Sequence, residues 1–92
     1  MTSVTLENNL VNIQGPVTYH QIPEILNSTK AISWDKPLKL DLKEVTDLDT
    51  SLLSLIFEWK RQASVNNQNI EIINNPPNLK ILSKLYGVEA YL

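Results

Sequence analysis

Few residues in this chain of 92 could carry chemistry, and they do not assemble into a recognised catalytic set. His20 is the sole imidazole and there is no cysteine. A Ser-His-Asp triad would therefore have to use His20, which stands between Tyr19 and Gln21 with no G-x-S-x-G elbow elsewhere. Ordinary surface or half-buried packing is the simpler reading of that histidine. A metal site needs three or four convergent ligands, and Asp47 with Asp49 is too little for a calcium loop, so no metal is expected. Gly15 and Gly87 are the only glycines, which excludes a P-loop or a dinucleotide fingerprint and leaves no cofactor to expect. The remaining concentration of reactive groups is the run Thr46-Asp47-Leu48-Asp49-Thr50-Ser51. Its hydroxyls offer a docking point or a phosphorylation site. Its acids would cap the helix that follows, complementing the dipole by about 0.3–1 kcal/mol.

The composition narrows the class further. Eight Lys and Arg against ten Asp and Glu give a net charge of −2, without the basic excess of a dedicated nucleic-acid binder. Trp34, Trp59 and Tyr86 lack interleaved basic residues, so packing is preferred over base stacking; Trp34, in a loop, could equally anchor an interface. No apolar run approaches the roughly 18 to 20 residues that span a bilayer, and Met1 to Leu10 lacks the pattern of a signal peptide. A small intracellular domain spanning residues 1–92 is the expectation, and its 42% hydrophobic residues suffice for a modest core.

Periodicity supplies the elements that must position the acidic run. Val4-Thr5-Leu6 and Leu10-Val11-Asn12-Ile13 flank Glu7-Asn8-Asn9, which reads as a β-hairpin. Thr18 and Gln21 have the spacing of a capping box, and Val17 with Ile22 that of a hydrophobic staple. A helix is expected from about Thr18 or Pro23 to Thr29, burying Ile22, Ile25 and Leu26. Leu38, Leu40 and Leu42 alternate with polar residues as a strand. After the acidic run a long helix reaches about Val65, with Leu52, Ile56, Trp59 and Ala63 on one stripe. Leu52 and Leu53 stand in its first turn and must be core or interface. Ile70 to Ile73 is a second short strand. An Asn cap and Pro then open a last helix, with Leu79, Leu82, Leu85 and Tyr86 as its buried stripe and Gly87 as its stop. Val88 to Leu92 would add a final strand. Hairpin, α, β, α, β, α describes an α/β fold, a mixed sheet of four to five strands with helices packed on it.

The same residues resemble the STAS domain family. Its pattern is an aliphatic-Asp-Leu strand end followed by Asp-Ser/Thr-small-Gly-Leu at a helix start. Here these are Leu40-Asp41-Leu42 and Asp49-Thr50-Ser51-Leu52-Leu53. Gly15-Pro16-Val17-Thr18, Ile22-Pro23 and Leu82-Ser83-Lys84-Leu85-Tyr86-Gly87 extend the likeness over nearly the whole chain. The compact length, the Asp-Thr pair and the Lys-Leu-Tyr ending are most similar to members that serve as the cytoplasmic STAS subunit of a phospholipid-transport ABC complex. The resemblance implies a non-catalytic protein at the cytoplasmic side of the inner membrane. Its partners would be an ABC ATPase subunit and, through it, the permease, with no nucleic acid and no direct insertion into the membrane. Asp49, Thr50, Ser51, Leu52 and Leu53 would form the partner-binding segment, with Thr50 supporting the ATPase contact. Ser51 matches the serine phosphorylated in anti-sigma-factor antagonists, the other large STAS group, which is the alternative function. Leu52 stands where the family usually has glycine.

Overall fold

A computed structural model describes residues 2–92. Among them are five strands and three α-helices, in the order β1 (Ser3–Glu7), β2 (Leu10–Val17), α1 (Ile22–Ser28), β3 (Leu38–Asp41), β4 (Val45–Leu48), α2 (Thr50–Val65), β5 (Ile70–Ile73) and α3 (Pro77–Leu85). Asn8 and Asn9 turn the hairpin with φ of 52° and 59°, the left-handed conformation that asparagine tolerates and a two-residue I′ turn requires. β1 pairs antiparallel with β2, whereas β3 and β5 join by parallel pairing, in the order β1-β2-β3-β5. The expected mixed sheet is therefore present.

Strand alternation makes the sheet one-sided. Val11, Ile13, Leu38 and Leu40 are fully buried, with Val4, Leu6, Ile70 and Ile72 packed beside them. Their alternating neighbours Thr5, Glu7, Gln14, Lys39 and Glu71 are exposed. The helices consequently cover one face, and the other faces water.

The acidic run departs from the expectation. The run Thr46 to Ser51, expected as a loop between strand and helix, is strand in its first half, because Val45–Leu48 forms β4, a parallel partner of β2 beyond the end of β3. The offset between paired residues grows by two, from Leu10 with Lys39 to Val17 with Leu48. β3 and β4 are thus two halves of one line of chain along β2, interrupted by a turn in which Val45 N–H donates to Leu42 O at 3.2 Å. Exposed Thr46 and Asp47 hide this strand in the sequence, since only a half-buried apolar residue at either end marks it.

Three other expectations fail for local reasons. Val88–Leu92 makes no strand; Glu89–Tyr91 is a single 3₁₀ turn. α3 has Pro76 at its N-cap and no side-chain cap, so the asparagine cap is not formed. Leu85 and Tyr86 are 75% and 58% exposed, leaving Leu79, Ser83 and the half-buried Leu82 as the inward stripe. Gly87 stops α3 as expected. With φ of +68° it closes a Schellman motif, Gly87 N–H to Lys84 O at 3.0 Å and Val88 N–H to Ser83 O at 2.8 Å. Asn67, at φ 57°, closes the corresponding motif after α2. Trp34 is half-buried against the core and Trp59 lies within it, so packing accounts for both.

Candidate functional site

The site is the junction at which β4 delivers the chain into α2, facing the start of α1. Asp49 holds it together. Its Oδ1 accepts a hydrogen bond from Ser51 N–H at 2.8 Å, which makes it the N-cap of α2. Its Oδ2 accepts from Tyr19 N–H at 3.2 Å, across thirty residues of chain. Asp49 N–H donates to Val17 O at 3.3 Å, at the end of β2. One residue therefore joins β2, the segment leading into α1, and α2.

That segment is itself stiffened. Gln21 Oε1 accepts from both Thr18 N–H (2.9 Å) and Thr18 Oγ1–H (2.7 Å), while Gln21 N–H donates to Thr18 O at 2.9 Å. Only half of the Thr18–Gln21 capping box expected from the sequence forms, since Gln21 N–H goes to the Thr18 carbonyl rather than its hydroxyl, and the pairing closes the turn before α1. The helix proper begins at Ile22 with Gln21 as its N-cap. The staple residues are also inward: Val17 is buried and Ile22 packs against the core.

Between α1 and α2 runs a groove of about 440 Å³, bordered by Tyr19, Pro23 and Leu26 on one side and by Thr50, Ser51 and Ser54 on the other. Tyr19 is 64% and Leu26 45% exposed, and this corrects the expected burial of Leu26. α1 has only seven residues and turns Ile25 alone fully inward, so Leu26 is left on the rim. His20 is exposed beside the groove, its ring 3.9 Å from that of Tyr19. Glu58, further along the α2 wall, pairs with Arg61 at 2.8 Å, and this contact holds its carboxyl below the usual range. Among the described residues, no three His, Cys, Asp or Glu side chains converge as metal ligands.

Of the five residues expected to bind a partner, the structure keeps three at the surface. Thr50 is exposed, while Ser51 and Asp49 are half-buried. Leu52 and Leu53 are core residues, 0% and 5% exposed, and are withdrawn from the partner surface. The first turn of α2 hides both because this helix buries a wide arc, Leu52, Leu53, Leu55, Ile56 and Trp59, rather than a single stripe. The opposite wall, Tyr19, Pro23 and Leu26, was not anticipated; Pro at the start of so short a helix is its only trace in the sequence.

A one-sided mixed sheet, with a hydroxyl-bearing helix start exposed beside an apolar groove, is the architecture of a STAS-type domain. The chain belongs to the family described as Mlab, STAS domain, whose model matches residues 2–92. STAS domains mediate protein–protein interactions. Among solved structures, it is similar to the anti-sigma factor antagonist SpoIIAA in its unphosphorylated form. The TM-score is 0.74 at 12% identity, over 99% of this chain and 84% of that one. The Bacillus cell fate determinant SpoIIAA in its phosphorylated form gives 0.65 at 13% identity, over 99% and 87%. The crystal structure of Mglu gives 0.60 at 20% identity over 84% of this chain, which spans only 20% of the Mglu chain. At these identities the likeness is one of fold. No curated protein sequence matches the chain at a significant level.

Proposed function

We propose that residues 1–92 act as one non-catalytic docking module, the cytoplasmic STAS subunit of an ABC-type phospholipid transport system that maintains outer-membrane lipid asymmetry. The module binds the ATPase subunit and, through it, the permease. The observation that carries this reading is the Asp49–Thr50–Ser51 turn, exposed at Thr50, tied by Asp49 to two other segments, and bordered by the apolar groove of Tyr19, Pro23 and Leu26. The family description supports the choice of system. A rigid apolar surface flanked by hydroxyls suits a lasting interface better than a charge-steered encounter. Binding one ATPase conformation more tightly than another raises its population, which is regulation without chemistry. Co-purification of an ABC ATPase from the native host tests it. The wild type should retain that ATPase and Thr50→Lys should lose it while remaining folded. Failure of the wild type to retain it, with lipid asymmetry intact in Thr50→Lys cells, refutes the reading.

The placement of Ser51 favours one alternative, an anti-sigma-factor antagonist controlled by phosphorylation. The Ser51 N–H is already bonded by Asp49, so a phosphate on its hydroxyl would meet both the favourable helix N-terminus and a repelling carboxylate. Such a balance would switch an interface. Intact-mass measurement after incubation with the cognate anti-sigma kinase decides: phosphate added to Ser51 supports it, and an unchanged mass removes it.

A further inference from the structure

The C-terminal part of the chain has a surface unlike the rest. Four of the seven large hydrophobic residues exposed among the described residues, Ile81, Leu85, Tyr86 and Tyr91, lie in its last twelve positions. Ile81 and Leu85 are one helical turn apart on α3 and 67% and 75% exposed, so they form a short apolar row facing solvent. Lys80 and Lys84, also one turn apart, are exposed in the adjoining row. Between Glu71 and Glu89 there is no acidic residue at all; the other six basic and all ten acidic residues of the chain lie outside this stretch. α3 thus presents an apolar face whose own charges are cationic, bordered across a shallow hollow by Leu48, with Asp47 and Asp49 on either side of it in the chain.

We infer that the exposed face of α3 rests on an anionic lipid surface, with Ile81 and Leu85 entering the headgroup region and Lys80 and Lys84 facing lipid phosphates. An apolar row flanked by lysines, with tyrosines close by, is the chemistry of the membrane interface. Long lysine stems can lie along apolar surface while their ammonium groups stay wet. Charge complementarity selects the occupant. A second copy of this face would bring four lysines together without a carboxylate from either helix, whereas an anionic leaflet attracts both lysines of each copy. The contact is superficial, since no described helix is long and apolar enough to cross a membrane. It is also separate from the groove between α1 and α2, because none of these four residues borders that groove.

Co-sedimentation of the full chain with lipid vesicles tests the inference. Binding to phosphatidylcholine vesicles that contain phosphatidylglycerol, but not to phosphatidylcholine alone, is expected, and added salt should weaken it. The double variant Ile81→Glu/Leu85→Glu should abolish sedimentation. Lys80→Gln and Lys84→Gln, which leave the apolar row intact, should each weaken binding about fivefold. Vesicle binding is read on the chain alone with no ATPase present, so failure of the ATPase reading registers separately. No sedimentation with anionic vesicles, equal sedimentation with neutral ones, or undiminished binding by Ile81→Glu/Leu85→Glu overturns the inference. So does a concentration-dependent dimer that the same double variant dissolves.

Discussion

Replacing Asp49 by alanine removes two acceptors at once. The N-cap bond to Ser51 N–H at 2.8 Å is lost, and so is the bond to Tyr19 N–H at 3.2 Å. Loss of an N-cap acceptor costs about 1 kcal/mol. The second bond has a charged acceptor but lies at the surface, and its loss adds about 1 kcal/mol. Ser51 N–H and Tyr19 N–H are reached by water once the carboxylate is gone, which keeps the total near 2 kcal/mol rather than higher. The unfolding entropy of a chain this size is about 0.2 kcal/mol/K, so the midpoint should fall by about 10 °C. Asp49→Asn keeps a carbonyl acceptor and should lose about half as much. Calorimetry and urea unfolding followed by circular dichroism measure both, with an unchanged m-value showing that the denatured state is not the cause. An Asp49→Ala protein within about 0.5 kcal/mol of the parent would refute the claim that this residue fastens the site.

Other consequences are open to direct measurement. Leu52→Ala empties a fully buried position and should cost about 3 kcal/mol in urea unfolding. A cost below about 1 kcal/mol would return Leu52 to the surface. Asp41 has its carboxyl held below the usual range, chiefly by the Lys43 backbone N–H at 3.0 Å and next by the Asn74 side chain at 3.1 Å. A depressed folded pKa contributes stability above the ordinary value of 3.8, lost as pH falls through the lower folded value. The gap in urea midpoint between the parent and Asp41→Asn should therefore be widest at neutral pH and shrink in acid. A gap that stays constant into strong acid contradicts this.

The fold was legible wherever one face of an element is buried and the other wet. Leu38, Leu40 and Leu42 alternate with charges, and the hairpin carries its asparagine turn, so both could be read from spacing. β4 could not, because Thr46 and Asp47 are exposed and its pairing is supplied by a distant strand. Leu85 and Tyr86 continue the period of Leu79 and Leu82, but α3 is short and its outer end has nothing to pack under. At the site, the cap and the hydroxyls of Asp49, Thr50 and Ser51 were legible as local chemistry. The depth of Leu52 and Leu53 was not, since the width of a buried arc depends on neighbours that a periodicity does not name. Tyr19, Pro23 and Leu26 escaped for the same reason.

β2 alone among the five strands is bonded to three others, and its last residue receives the N–H of Asp49. The turn at Asp49 is thus suspended from the strand with which β1, β3 and β4 all pair. Its bonds to Val17 and to Tyr19 tie it to two other segments, so loosening it breaks contacts with both. Thr50 and Ser51 therefore stand on backbone that is already ordered, so docking there, as proposed, would forgo the ordering entropy that a flexible loop has to give up.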